Sequence, residues 1–242
     1  MTNDAHACFN LLLSSAKSGR IREALAHYRS ASDAWHALAQ SDRSLNHGLK
    51  AHSSLIERGM HWLQQPGCHL IAWHQQDYPE SLRHVASPPA FLFVRGRKEL
   101  LWHRQIGIVG SRQPSASGKE CAHYFARRLA ASGFTVTSGL ARGIDAAAHL
   151  GAMSAGQTIA ALATGPDMAF PSCNQDLYEQ IADTGALITE HPPGVPALRS
   201  HFPARNRLIA GLSQGTLVIE AAIRSGALIT ARLAAELGKE VM

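Results

Sequence analysis

The 242-residue sequence has few of the residues that build disulfide-rich or metal-binding domains. Its four cysteines, Cys8, Cys68, Cys121 and Cys173, are spread singly and form no C-x-x-C pair, which favours reduced structural thiols over a disulfide framework or a zinc site. Its 14 histidines form no H-E-x-x-H motif. We therefore predict no metal site and no cofactor.

Long apolar runs are also lacking. No stretch approaches the roughly 20 apolar residues that cross a membrane. Residues 1–19 have no basic region before their short apolar run, so they do not resemble a signal peptide. We expect a cytoplasmic protein without a membrane segment. The hydrophobic share of 45% and the charged share of 17% are ordinary for a folded globular chain.

Acidic residues are in the minority, with 18 Asp and Glu against 23 Lys and Arg and a net charge of +5. A positive surplus favours polyanionic partners through long-range attraction. Evenly scattered basic residues would give the same total, however. The distribution of the arginines therefore decides whether a nucleic acid is expected.

The residue pattern divides the chain into three parts. Residues 1–76 show short helical periodicities with polar breaks, which predicts a small all-α domain. Residues 77–103 place prolines around a strand candidate at 91–94, and we interpret them as a linker or extension between domains. Residues 104–242 alternate β-branched runs with Ala-rich helical segments. Because residues 239–242 begin another strand, we expect this third part to be truncated at its C-terminus.

The third part predicts a fold class. Strands are expected at 106–109, 135–137, 158–162, 186–189 and 216–219, and helices at 118–131, 145–155, 174–183, 205–212 and 227–237. Strands joined by helices imply right-handed crossovers. The predicted fold is α/β, a Rossmann-like, doubly wound, mainly parallel sheet with helices on both faces, preceded by a small all-α domain.

Ligands of such sheets bind at the carboxyl ends of the strands, so the loops there are the candidate sites. The first loop (residues 110–118) contains Gly110, Ser111 and Arg112 and leads into a helix whose N–H groups can receive a phosphate. In the second loop (residues 138–145), Gly139 permits close backbone approach, and Arg142 either serves a phosphate or braces the loop. Ser225 and Gly226 open a later helix with free amide groups. Neither G-x-G-x-x-G nor a Walker A motif is present, which disfavours NAD and ATP.

The densest basic cluster follows the fourth of these strands, in what reads as a long loop at 199–207. Arg199, Arg205 and Arg207 stand there beside Phe202 and Asn206. Arginines neutralise phosphates and an aromatic ring stacks on a base, a combination suited to single-stranded nucleic acid. The alternative is that these arginines form salt bridges around a helix start.

Catalytic patterns are sparse, and we predict no enzyme. Glu220, at the end of the fifth strand, is the one candidate acid; it either caps a helix or orients Arg112 or Arg207. Residues 211–215 match G-x-S-x-G, but there a helix precedes a strand, which is the wrong context for a nucleophile. Asp167, which has no second carboxylate to act with, is interpreted as structural. The alternative function is a nucleotide-processing, phosphoribohydrolase-like enzyme using Glu220. Gly215-Thr216 followed by Glu220 is similar to a Gly-Thr-x-x-Glu segment with one additional residue before the glutamate, although the glycines that should precede it are missing.

Four ordered motifs resemble the DNA-processing protein A (DprA/Smf) family. They are Gly110-Ser111-Arg112, Ser138-Gly139-Leu140-Ala141-Arg142-Gly143-Ile144-Asp145, Phe202-Pro203-x-Arg205-Asn206-Arg207 and Ser225-Gly226-x-Leu228-Ile229-Thr230-Ala231-Arg232. The resemblance covers residues 78–242, and the N-terminal helices are loosely similar to the sterile-alpha-motif-like (SAM-like) domain of many members.

The resemblance implies a single-stranded-DNA-binding protein of natural transformation and competence. Such a protein protects the incoming strand, acts as a recombination mediator that loads the RecA recombinase, and forms a homodimer through its Rossmann-like domain. It also implies DNA contacts by Arg112, Arg199 and Phe202. Together with the loops, the predicted DNA-binding residues are Gly110, Ser111, Arg112, Gly139, Arg142, Arg199, Phe202, Asn206, Arg207, Ser225 and Gly226.

Overall fold

The computed structural model describes residues 2–46, 49–223 and 225–242. Its first part is helical. It consists of α1 (Thr2–Leu13), α2 (Ser18–Tyr28), α3 (Ala31–Ser41), two 3-10 turns (Arg43–Asn46 and Leu49–His52) and α4 (Ser53–Trp62). Ser30 caps α3 by accepting from the N–H of Asp33, which satisfies one of the donors that a helix start leaves free.

A single sheet contains every strand in the described ranges. The strands are β1 (Cys68–Ala72), β2 (Phe91–Gly96), β3 (Gln105–Gly110), β4 (Thr135–Ser138), β5 (Thr158–Ala161), β6 (Ala186–Thr189), β7 (Gly215–Ile219) and β8 (Glu240–Val241). Their order is β1-β2-β6-β5-β4-β3-β7-β8. All pairs from β6 to β8 are parallel, whereas β2 is antiparallel to both β1 and β6.

The remaining helices cover both faces of the sheet. They are α5 (Glu80–Arg83), α6 (Ala116–Ala131), α7 (Ile144–Met153), α8 (Gln175–Thr184), α9 (His201–Leu212) and α10 (Gly226–Glu236), with 3-10 turns at Lys98–Trp102 and Ser172–Asn174. Side chains alternate along a strand, so in β3 Ile108 packs against α6 and α7 while Val109 packs against α9 and α10. The predicted doubly wound, mainly parallel α/β fold with helices on both faces is confirmed.

The structure departs from the prediction at two elements. Strand β1 was not expected, because it falls within the range assigned to the helical part. Helix α9 begins at His201, four residues before its expected start, so Arg205 and Arg207 of the basic cluster lie on a helix, while Arg199 precedes it. Pro203 does not prevent this, because a proline in the first turn removes an N–H that the helix leaves unbonded anyway.

The segment between the helical part and β3 extends the sheet. Strand β2 pairs with β6, and its Phe93 is buried against Phe9 of α1 and Trp62 of α4. The domain boundaries at 76 and 103 stay predictions. None of the helices in the described part of the chain combines the length and the apolar character that crossing a bilayer requires.

Candidate functional site

A cleft of about 550 Å³ opens at the carboxyl ends of β3 and β7. The chain leaves β3 for β4 on one side, while β7 lies on the other side, so the winding of the sheet reverses between these two strands. Doubly wound sheets bind ligands at such a reversal. Val109 and Gly110 line the cleft from β3, and Ala222 lines it from beyond β7.

The first loop presents an arginine to this cleft. Gly110 is required because a β-carbon there would overlap the carbonyl oxygen of Ile219 in β7. The Ser111 carbonyl accepts from the N–H of Ile144 at 3.1 Å, which holds the loop against α7. Arg112 is left exposed at the cleft, and no carboxylate pairs with it among the described residues.

The second loop is held by a buried, neutral histidine. Leu140 has a positive φ of 57°, and its N–H donates to His149 Nε2 at 3.3 Å. The Thr158 hydroxyl donates to the Val136 carbonyl at 2.7 Å, so it accepts from His149 Nδ1, also at 2.7 Å. This pattern assigns the ring proton to Nδ1. Burial lowers the pKa of His149 to about 3, in agreement with a neutral ring.

Asp145 and Arg205 bring opposite charges into the buried floor of the cleft. Asp145 accepts from the N–H groups of Gly139 at 3.1 Å and Ala141 at 3.3 Å. Burial raises the pKa of Asp145 and lowers that of Arg205, and the charge of each opposes the shift of the other. Gly139 leaves room for the guanidinium, because a β-carbon there would overlap Arg205 Nη1. No group in the described ranges accepts from Arg205 Nε.

Helix α9 brings an aromatic ring and an amide to the same cleft. The guanidinium carbon of Arg112 lies 5.5 Å from the centroid of the Phe202 ring. Asn206, about one turn further along α9, donates its side-chain amide to the Gly226 carbonyl at 3.1 Å. Asn206 therefore positions the start of α10, while Phe202 and Arg112 form one edge of the cleft.

Helix α10 turns its N-terminus to the cleft. The hydroxyl of Ser225 accepts from the N–H of Leu228 at 3.4 Å, and the first turn contains no acidic residue. Ser225 and Gly226 both line the cleft. The positive end of this helix dipole therefore faces the cleft without a negative partner in its first turn.

The N-terminus of α6, in contrast, already holds a carboxylate. Glu220 accepts from the backbone N–H of Ser115 at 2.8 Å and from the Ser115 hydroxyl, and it lies against Gly118. The expectation that the amides at this helix start receive a phosphate does not hold, because Glu220 supplies the negative charge. Its hydrogen bonds to Ser115 lower the pKa of Glu220. Of the alternatives above, Glu220 caps a helix and orients neither Arg112 nor Arg207.

The other predicted arginines lie apart from the cleft. Arg142 is exposed, donates its Nε to Cys173 Sγ at 3.1 Å and lines a neighbouring cavity. Arg199 is exposed in the segment before α9. Arg207 is largely buried, pairs with Glu190 and lines a different cavity. The structure brings together Gly110, Ser111, Arg112, Phe202, Asn206, Ser225 and Gly226 in the cleft and Gly139 and Arg142 beside it, but neither Arg199 nor Arg207.

Two residues at the site, Arg205 and Phe170, are absent from the predicted set. Phe170 follows β5, is 46% exposed, and has its ring centroid 5.6 Å from that of Phe202. Its signal in the sequence is an aromatic residue in a loop at the carboxyl end of a core strand. The sequence signal for Arg205 is its place in the basic cluster at 199–207, but its burial beside Asp145 has no local signal, because Asp145 is distant in the sequence.

Residues 69–242 match the protein family described as DNA recombination-mediator protein A. The chain is 43% identical over 206 residues to Protein Smf of Escherichia coli, and the alignment covers 84% of this chain and 54% of that protein. The chain spans about half the length of the curated relatives it matches.

Two solved structures resemble this one. The X-ray structure of DNA processing protein A from Streptococcus pneumoniae matches with a TM-score of 0.83 and 30% identity, covering 98% of this chain and 85% of that chain. DNA processing protein A from Helicobacter pylori, whose structure was described for its single-stranded DNA binding mode, matches with a TM-score of 0.66 and 28% identity, covering 72% of this chain and 79% of that chain.

Proposed function

This chain belongs to the DNA recombination-mediator protein A family, and from that premise we propose that it binds single-stranded DNA in the cleft between β3 and β7 without changing the strand covalently. The observation that carries the proposal is the guanidinium of Arg112 beside the ring of Phe202 at the cleft. The guanidinium of Arg112 suits a phosphate, and the ring of Phe202 suits a base.

Positive charge supports a phosphate in the cleft. Arg112 is exposed there, and the start of α10 at Ser225 and Gly226 faces the same space. Guanidinium groups bind phosphates through paired hydrogen bonds, and helix N-termini attract anions. Arg205 adds a further charge at the floor. A DNA phosphate in the cleft would give Arg112 and the start of α10 an anionic partner, which the rest of the described chain does not supply.

The aromatic ring of Phe202 supports a single strand over a duplex. Bases of a single strand are free to stack on a protein ring, whereas bases inside a duplex already stack on one another. The H. pylori relative with 28% identity is described by its single-stranded DNA binding mode. We therefore expect preference for the unpaired strand.

The hydrolase alternative has little support. A catalytic acid must reach the reacting atoms of its substrate. The Glu220 carboxylate instead accepts two hydrogen bonds from Ser115 at the start of α6. We infer a binding function without catalysis.

A more specific proposal concerns the protein that receives the bound strand and the oligomeric state. The family description names a recombination mediator, and such a mediator hands its strand to a recombinase. Together with the resemblance of the four motifs, this supports loading of the RecA recombinase during transformation and a homodimer through the Rossmann-like domain. Both proposals refer to a protein of which this chain spans about half the length.

Fluorescence anisotropy with labelled oligo-dT and a matched duplex tests the main proposal. We expect the single strand to bind more tightly, with an affinity that falls as salt rises, because phosphate contacts release counterions. Arg112→Ala should weaken binding at least about tenfold, which corresponds to about 1.4 kcal/mol. Loss of one phosphate contact should also reduce the slope of log affinity against log salt by about 0.7.

Arg128→Ala is the matched control. Arg128 is exposed on α6, roughly 18 Å along the helix axis from Ala116 at a rise of 1.5 Å per residue. Arg128→Ala removes one positive charge, as Arg112→Ala does, and should leave the affinity for the single strand almost unchanged. Equal losses in both variants would mean that overall charge, and not the cleft, binds the strand. A folded wild-type protein without affinity for the single strand would refute the proposal.

A further inference from the structure

A cavity of about 870 Å³ lies along the outer edge of β1 and shares no lining residue with the cleft. β1 is the first strand in the order of the sheet, so one of its edges pairs with no strand of the described chain. Residues 68–71, four in a row, line the cavity. Because successive side chains of a strand point to opposite faces, the cavity lies beside the edge of β1 and not over one face. We call this space the edge groove.

The pairing of β1 with β2 decides which backbone groups face the edge groove. Gly67, just before β1, and Trp73, just after it, each form a backbone hydrogen bond of 2.9 Å to residues at the two ends of β2. In an antiparallel pair, residues bonded in this way alternate with residues whose N–H and C=O point away from the partner strand. Cys68, Leu70 and Ala72 therefore direct their backbone groups toward the edge groove.

At Leu70 both of these backbone groups are free. The N–H of Cys68 donates to the Gln65 carbonyl at 3.3 Å, and the N–H and the carbonyl of Ala72 both bond to Gln75 at 2.9 Å. No described residue bonds to the N–H or the carbonyl of Leu70. Free edges are usually blocked by charged side chains or proline, but β1 contains no Lys, Arg, Asp, Glu or Pro. The edge of β1 is therefore open to an added strand.

The two walls of the edge groove differ in chemistry. The wall formed by α1 and α4 is largely apolar and includes Met60 and Leu63, and these helices pack on one face of β1. The opposite wall contains the ion pair of Lys98 with Asp77 at 2.7 Å, whose charges act on His69. A strand laid beside β1 would place alternate side chains against these two walls.

We propose that the edge groove binds an extended segment of a partner protein, whose backbone pairs with the N–H and the carbonyl of Leu70 as an added strand. Main-chain hydrogen bonds give such a segment its affinity, and the walls for alternate side chains give it specificity. Its apolar residues would lie against α1 and α4, and its polar residues would face Lys98 and Asp77. The site is independent of the proposed DNA cleft.

A phage library of random dodecapeptides, selected on the full chain, tests the edge groove. We expect enrichment of peptides that alternate apolar and polar residues. A labelled copy of an enriched peptide should bind in fluorescence anisotropy, and N-methylation of the residues that face β1 should weaken it at least about tenfold, because the added strand loses its backbone donors. By NMR, the Leu70 N–H should exchange with solvent faster than those of His69 and Ile71 in the free protein and should become protected when the peptide binds.

Met60→Glu places a charge in the apolar wall and should weaken the peptide at least about tenfold. Leu150→Glu is the matched control, since Leu150 is an exposed apolar residue on α7 that does not line the groove. Both variants should keep the oligo-dT affinity of the wild type.

Three outcomes would overturn the edge groove and leave the DNA cleft standing. The first is a library from which no peptide is enriched. The second is an enriched peptide that leaves the exchange of the Leu70 N–H unchanged or binds Met60→Glu as well as the wild type, because it would then lie elsewhere on the protein. The third is protection of the Leu70 N–H that rises with protein concentration in the absence of peptide, because a second copy of the chain would then occupy the edge.

Discussion

Gly226 and Gly139 both belong to the predicted DNA-binding set, yet a methyl group added at each would meet different surroundings. At Gly226 a β-carbon meets nothing within 4 Å, whereas at Gly139 it overlaps the guanidinium of Arg205. Gly226→Ala should therefore leave the free energy of unfolding unchanged or raise it by up to about 1 kcal/mol. It should weaken single-stranded DNA binding, because the new methyl group stands where a phosphate approaches.

Gly139→Ala should show the opposite pattern in urea unfolding. Overpacking against Arg205 should lower the free energy of unfolding by about 1 to 3 kcal/mol. Urea titration and anisotropy of the two variants separate the roles of the two glycines. A Gly226→Ala variant with wild-type affinity would remove the start of α10 from the proposed phosphate site.

Single residues also show where prediction of the site from sequence succeeds and stops. Arg112 and Phe202 were both predicted to contact DNA, and they meet in one cleft because the end of β3 and the start of α9 share an edge of the sheet. Arg205 and Arg207 were expected to lie together. Both lie on α9, where a separation of two residues corresponds to about 200° of rotation about the helix axis. Arg205 therefore faces the cleft and Arg207 pairs with Glu190 on another side.

At the scale of elements, strands were predictable wherever β-branched residues form a run. β3 to β7 match their expected positions within one or two residues. β1 was missed because its sequence, Cys68 to Ala72, is short and lies in a range dominated by helical periodicity. The early start of α9 was missed because residues 199–207 were interpreted as part of a long loop. In both cases the deciding contacts come from the sheet and not from neighbours in sequence.

The second loop provides a prediction about pH at this scale. His149, which fixes the loop to β5, has its pKa lowered by burial from 6.5 to about 3. Between these values the unfolded chain binds a proton that the folded chain does not, so the free energy of unfolding falls as the pH drops. The fall amounts to about 1.4 kcal/mol per pH unit for one such group. His191, which is partly buried and has a pKa lowered to about 4, adds to this fall at pH values above 4.

Urea unfolding of His149→Asn between pH 6 and pH 4.5 checks this expectation. The variant should be less stable than the wild type at neutral pH, because it loses the ring contacts to Leu140 and Thr158. The free energy of unfolding of the variant should also change less steeply with pH, because one fewer proton is taken up on unfolding. The exposed His36, changed to Asn, is the control. A slope identical to that of the wild type would show that His149 does not remain neutral in the folded protein.

At the scale of the whole molecule, the sheet organises both the site and the N-terminal helices. The reversal between β3 and β7 creates the cleft at one edge. At the opposite side of the sheet, β1 and β2 present an apolar face to α1 and α4. Arg58 of α4 also pairs with Asp167, which in turn accepts from the N–H of Gly194 at 2.9 Å. The helices are thereby attached to two loops near the site.

This shared core predicts that the N-terminal helices and the sheet unfold together. Phe9 of α1 is fully buried, and its ring centroid lies 5.8 Å from that of Phe93 in β2. Phe9→Ala should cost about 3 to 5 kcal/mol, a large share of a typical stability of 5 to 15 kcal/mol. Because the N-terminal helices and the sheet share these contacts, Phe9→Ala should destabilise both. Hydrogen-exchange mass spectrometry at rising urea resolves peptides from α1 to α4 and from β3 to β7.

In the wild type both sets of peptides should lose protection at the same urea concentration, and Phe9→Ala should lower that concentration equally for both. Phe125→Ala, which removes a ring that is 42% exposed on α6, should change it little. Peptides from α1 to α4 that lose protection first, while β3 to β7 keep the wild-type midpoint, would mean that the helices form an independent unit. The boundary predicted at residue 76 would then separate two folding units, and the contact between Phe9 and Phe93 would contribute only to docking.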